Sequence, residues 1–313
     1  MRPNAKLPSE SPAMNAASTV VMANTVWPNT SESIRSQSTS YTRPVAPERK
    51  KHAATTARRA GMGYSNTTMA AGRVRGGYNQ YGFSVGILML DTRFPRVPGD
   101  MGHAATFPFP VRYQRVEGAA PDLVVRRGAE GLLPAFIEGA RRLESEGVGA
   151  ITTNCGFLVK FQAELAAAVR VPVFTSTLLL VPLVHRMLPP GRRVGLMTVS
   201  AATLTAEHLR GAGIGGDVPL AVAGMEGEKE FTRVLLGDEL ELDVEAAREE
   251  HVRVARRLVG EHPDLGAIVL ECTNMPPYAT DIQRETGLPV FDIVSLVTMV
   301  HGALAAGLGP RPA

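Results

Sequence analysis

The chain has 313 residues and two cysteines, Cys155 and Cys272. Each stands where an apolar run gives way to polar residues, in "GAITTNCGF" and "GAIVLECTN". A thiolate can take a proton from carbon or attack an electrophile, and a neutral thiol can return a proton. A free cysteine is also commonly a small buried hydrophobe. The pairing argues for chemistry. Residues 149–175 align without a gap on 266–292, and Cys155 falls on Cys272. Gly, Ala, Ile, Pro, Val and Phe also match at equivalent places, and the preceding helical stretches share "ARRL" at 140–143 and 255–258. The chain therefore reads as a duplicated unit that presents one thiol per copy. Thiols facing each other across a cleft suit removal of a proton from one face of a carbon and its return on the other.

The elements that must hold these thiols alternate. "FSVGILML", "VGAITT", "VPVFT", "RRVGLMTV", "VPLAVA", "GAIVL" and "LPVFDI" read as strands, and amphipathic stretches between most of them read as helices. Apolar, β-branched strands alternating with helices indicate parallel sheets covered on both faces. The expected fold is α/β, with two pseudosymmetric lobes at 81–190 and 191–292 and a site in the cleft between them. A last helix, within 293–313, is expected to pack back on the first lobe. Ligands in open parallel sheets bind beyond the carboxyl ends of the strands, where both cysteines fall. Each cysteine precedes a helical pattern, so backbone N–H groups and the positive helix end should draw the thiol pKa below its usual value of about 8.5.

Residues 1–80 differ in kind. They hold 11 Lys and Arg against 3 Asp and Glu, whereas the rest of the chain is mildly acidic. Rich in Ser, Thr, Asn and Ala and without periodicity, they read as a disordered tail. A start site placed too far upstream, a transit peptide and a basic partner arm stay open as explanations. No run of about 18 apolar residues occurs, so no membrane span is expected. Two distant cysteines give no disulfide framework, and a reducing, cytoplasmic setting is the default. A single tryptophan argues against a stacking platform for nucleic acid. "GAGIGG" at 211–216 follows a helix and precedes a strand, the reverse of the dinucleotide context.

Asn154-Cys155-Gly156 and Glu271-Cys272-Thr273-Asn274 resemble the two active-site motifs of the aspartate/glutamate/hydantoin racemase superfamily, and the resemblance spans roughly 83–308. It implies a cofactor-independent racemase or epimerase without metal, with Cys155 and Cys272 as the acid/base pair. It also implies that Asn154 and Thr273 bind the substrate carboxylate or orient a thiol, and that the loop after the first strand, with Asp91, Thr92 and Arg93, helps to bind substrate. Ser176 has two readings, a helix cap or a carboxylate ligand. Where glutamate racemases carry Gly-Cys-Thr-His, this chain has Glu271 in place of Gly and Asn274 in place of His. Glu271 is open to three roles: auxiliary base, recognition of an amine, or satisfaction of a backbone group. The expected substrate is an amino acid or related small carboxylate, and a homodimer is compatible with the superfamily. Hydantoin racemisation, chemistry like that of maleate isomerase or arylmalonate decarboxylase, and non-catalytic ligand binding are the competing readings.

Overall fold

The computed structural model describes residues 76–305, so the readings made for 1–75 lie outside the described residues. The first lobe runs β1 (Val85–Leu90), β2 (Val111–Val116), α1 (Pro121–Val125), α2 (Leu133–Ser145), β3 (Ala150–Thr153), α3 (Gln162–Ala168), β4 (Val173–Phe174) and α4 (Val181–Met187). The second runs β5 (Arg193–Thr198), α5 (Ala206–Gly211), β6 (Leu220–Gly224), α6 (Glu230–Gly237), α7 (Val244–Glu261), β7 (Leu265–Leu270), α8 (Ala279–Thr286) and β8 (Val290–Phe291), followed by α9 (Ile293–Ala305).

Each lobe is a four-stranded parallel sheet, in the order β2-β1-β3-β4 and β6-β5-β7-β8. The duplication is visible in the register. Ile151 pairs with Val173 and Ile268 with Val290, so both partners shift by the 117 residues that separate the cysteines. Val85 pairs with Ala150 as Val194 pairs with Ala267, which makes Leu90 and Val199 equivalent positions.

Successive strand residues face opposite sides of a sheet. Val85, Ile87, Val194, Leu196, Ala267 and Val269 share one buried cluster, whereas Leu88, Leu90, Met197, Ile268 and Leu270 share another. Each cluster includes residues of both lobes, so the two sheets are welded by apolar packing. α9 returns to the start of β1. Ser84 Oγ and His301 Nδ1 are 2.6 Å apart, His301 stacks on Phe109, and Leu304 lies against Gly149.

Three elements are absent from the sequence reading. β2, "VRYQRV", is an edge strand with arginines on it, which masks its pattern and blunts a free edge. α1 spans five residues and begins at a proline. α6 shows the i, i+3, i+4 spacing in Phe231, Val234 and Leu235. A buried carboxylate ties its start to α7: Glu250 accepts the N–H groups of Lys229, Glu230 and Phe231 at 2.7–2.9 Å. Residues 76–80, read from sequence as the end of the tail, lie against the first lobe, with Tyr78 over Gly147.

Candidate active site

β3 and β7 are the inner strands that end at the cysteines. β3 is buried throughout and β7 at every residue but Gly266, so each backbone is committed to the sheet until the residue before the thiol. The chain then turns into tight 3-10 segments, Gly156–Phe161 and Pro276–Tyr278. Cys155 and Cys272 are 9% and 8% exposed, and both line one cavity of about 30 Å³ between the lobes. That volume holds a water or two. Asn154, Glu271, Thr273 and Asn274 also line it, as do the equivalent residues Leu90 and Val199. The remaining wall is apolar and comes largely from elements that the sequence reading missed. Pro121 and Val125 stand on α1, Leu235 and Leu236 on α6, and Phe94 on the loop after β1.

Contacts within and across the lobes hold the two motifs in place. The Thr273 hydroxyl donates to the Asn154 carbonyl oxygen. Asn154 Oδ1 accepts the Leu90 N–H at 2.6 Å. Asn274 Nδ2 donates to Asp100 at 2.6 Å, and its Oδ1 lies 3.6 Å from the Cys272 sulfur. Asp100 is paired with Arg96 at 2.8 Å, and Arg96 in turn donates to Thr92 Oγ1 at 2.9 Å. Asn274 therefore links one thiol to an ion pair of the opposite lobe. No pattern in the sequence marks Asp100 for this, because its partner lies 174 residues away.

Glu271 is wholly buried. One carboxylate oxygen accepts the Thr198 hydroxyl at 2.8 Å. The other, Oε1, is buried with no hydrogen-bond partner. This carboxylate fills the space beside Gly156, where any Cβ would collide with it. It thus lies next to the Cys155 turn as well as beside Cys272 in sequence.

The electrostatics reverse one sequence expectation. Burial and then the Glu271 charge push the Cys155 thiol up to about 12, against the smaller opposing pull of the Phe157 N–H, the Arg96 charge and the Leu158 N–H. Burial and Glu271 also push Cys272 well up, and Cys155 and Asp100 add to the effect. The backbone dipoles are present but short, and loss of water outweighs them. Burial raises Glu271 to about 7, with the Thr198 hydroxyl opposing. The first proton to leave this trio is therefore that of Glu271.

Four of the sequence candidates lie elsewhere. Asp91 faces β2, with Arg115 at 3.6 Å and the Gly118 N–H at 3.3 Å. Thr92 receives Arg96. Arg93 has a side chain 72% exposed and pairs with Asp238 at 3.2 Å. Ser176 accepts the Leu178 N–H at 3.1 Å and caps the turn that starts at Thr177. None of the four lines the cavity. The loop after β1 contributes through Phe94 and Asp100 instead, one residue apolar and the other buried behind Asn274.

Residues 127–299 match the Asp/Glu/Hydantoin racemase family, more than half of the chain. The chain belongs to the Asp/Glu/hydantoin racemase family. The chain is 31% identical over 226 residues to a dimethylsulfoniopropionate lyase of Durusdinium sp. clade D, covering 70% of this chain and 74% of that one. It is 31% identical over 234 residues to dimethylsulfoniopropionate lyase 6 of Emiliania huxleyi (strain CCMP1516), covering 71% of this chain and 60% of that one. A cysteine-substituted variant of arylmalonate decarboxylase, solved in a sulfate-associated form, superposes with a TM-score of 0.50 at 20% identity, covering 73% and 97% of the two chains. That likeness supports the α/β fold. The similar proteins carry lyase and decarboxylase names, so membership of the racemase family does not by itself fix an isomerase.

Proposed function

We propose that this protein is a lyase that splits dimethylsulfoniopropionate into dimethyl sulfide and acrylate. The observation that carries the reading is the 31% identity to a dimethylsulfoniopropionate lyase over most of both chains. The chemistry fits a racemase-family site. Racemisation begins with removal of the proton beside a carboxylate. In this substrate the neighbouring carbon carries a sulfonium leaving group. The electron pair left by the proton forms the C=C bond of acrylate, and the C–S bond breaks with its pair passing to sulfur as dimethyl sulfide. The proton goes to a thiolate and from there to solvent. One base suffices, whereas racemisation needs a second group to return the proton.

Cys155 is the better candidate for that base. Burial and Glu271 hold both resting thiols neutral, but at Cys155 the Phe157 and Leu158 N–H groups and the Arg96 charge oppose them in favour of the thiolate. Cys272 has the Asn274 N–H in its favour, while Glu271, Cys155 and Asp100 all oppose its ionisation. The apolar walls from Phe94, Val125, Leu235 and Leu236 suit the S-methyl groups once the lobes part to admit a ligand larger than a water or two. The purified protein should release dimethyl sulfide, detected in headspace gas, and acrylate, detected by proton NMR, in equal amounts. Protein that releases neither, yet exchanges the α-proton of a chiral carboxylate in deuterated water, would sink the reading. That result would favour the second one, a two-base racemase, which the equivalent placement of Cys155 and Cys272 supports.

A further inference from the structure

We infer that Glu271 is the counter-charge that selects a permanently methylated cation as the substrate's far end, an inference that rests on the lyase reading for its substrate. Among the described residues, the cavity lining holds no Lys, Arg, His or Asp, and Glu271 is its one carboxylate. Its free oxygen, Oε1, is buried and has no hydrogen-bond partner. A buried carboxylate oxygen left without a donor is costly. Thr198 already occupies the other oxygen, and Oε1 itself sits against Gly156, a neighbour with no side chain to offer it a donor. The unpartnered oxygen therefore favours a ligand that brings positive charge.

The walls narrow the kind of charge. A primary ammonium carries three N–H donors, and each needs an acceptor when buried. Much of the lining is apolar, and its polar side chains are largely engaged: Asn154 with Leu90, Thr273 with Asn154, Asn274 with Asp100. A sulfonium or quaternary ammonium has no N–H to satisfy. Its methyl groups can rest on Leu235, Leu236 and Val125, with Phe157 also in the lining. One unpaired anion in an apolar shell is a site for an alkylated onium rather than an α-amino acid.

Binding is the test, because it can be read without turnover. In a Cys155→Ser background, calorimetry at about pH 8 compares dimethylsulfoniopropionate with 4-methylpentanoate, its uncharged-tail isostere. The cation should bind about tenfold or more tightly. Adding Glu271→Gln, which keeps a group for Thr198 to meet, should bring the ratio close to one. A ratio unchanged by the substitution, or no preference in the parent, overturns the inference. Should the double variant fail to fold, the parent is measured at about pH 6 as well. The raised Cys272 thiol and the introduced serine hydroxyl are neutral at both pH values, and the nearby Arg96 and Asp100 are paired with each other. Protonation of Glu271 should therefore shrink the preference, and an undiminished preference overturns the inference. Dimethyl sulfide release by the wild-type protein is scored separately. Release with an unaffected ratio removes the role of Glu271 and keeps the lyase. A collapsed ratio without release keeps the cation site and removes the lyase.

Discussion

The two cysteine turns are built alike and finished differently. Both follow an inner strand of the same sheet order, and the register around them repeats. The residue before the thiol is Asn154 in one lobe and Glu271 in the other; the residue after it is Gly156 in one and Thr273 in the other. Asn154 closes its own lobe by receiving the Leu90 N–H. Glu271 and Thr273 instead reach across, Glu271 over Gly156 and Thr273 to the Asn154 carbonyl. Duplication thus supplies two thiols in matching frames. Divergence of their neighbours puts a half-partnered acid beside both of them. A symmetric site would suit reversible inversion, whereas an asymmetric one suits a reaction with one base and a leaving group.

The largest effect expected from breaking this comparison is at the thiols. Cys155→Ser should lower dimethyl sulfide release on the order of 10²–10⁴-fold, and Cys272→Ser should cost clearly less. Equal losses in initial-rate assays would restore a two-base mechanism. Next comes the stability carried by Glu271. Its folded pKa of about 7 lies above its ordinary 4.5. The folded protein therefore holds more protons between those values, so the contribution of this group is full below the lower one and lost as pH rises through the upper. The loss is roughly 3 kcal/mol at most. Urea unfolding at about pH 5 and about pH 8 should show Glu271→Gln gaining on the wild type at the higher pH; a pH-independent difference would count against the raised carboxyl.

Gly156→Ala probes the same contact from the other side. The added methyl meets the Glu271 carboxylate, and about 1–3 kcal/mol of destabilisation is expected, read from the urea midpoint. Its mirror, Thr273→Gly, loses a cross-lobe hydrogen bond instead and should cost about 1 kcal/mol. The smallest effects are at residues outside the cavity. Ser176→Ala removes a cap worth about 1 kcal/mol and should leave kcat unchanged. Asp238→Asn weakens an exposed ion pair with Arg93 and should shift stability by less than about 1 kcal/mol. Because Asp238 also receives the N–H groups of Arg93 and Phe94 across the lobes, KM is where its loss should register.

Much of the frame is legible without coordinates because it depends on local patterns. Strands such as "GAIVL" declare themselves by continuous apolar, β-branched residues, and the repeat declares itself by seven identities at one offset. The edge strand β2 and the short α1 carry little pattern of their own and are held by their neighbours. The site divides in the same way. Cys155, Cys272, Asn154, Glu271, Thr273 and Asn274 are the thiols and their neighbours in sequence, and all line the cavity. Asp91, Thr92, Arg93 and Ser176 also follow strand ends, but side-chain direction sends them to a neighbouring strand, an arginine, the opposite lobe's surface and a cap.

By itself the sequence determined the duplicated α/β frame, the pairing of the two thiols and the residues on either side of them, since periodicity and repetition are properties of the chain. Tertiary structure alone decided the electrostatics. Proximity to backbone N–H groups predicts acidic thiols, yet both are buried between lobes beside a buried carboxylate, and desolvation wins. It also decided which distant groups complete the site: Asp100 behind Asn274, Thr198 on Glu271, and the apolar wall of α1 and α6. Burial and cross-lobe contact are sums over residues far apart in the chain, and no local pattern encodes them.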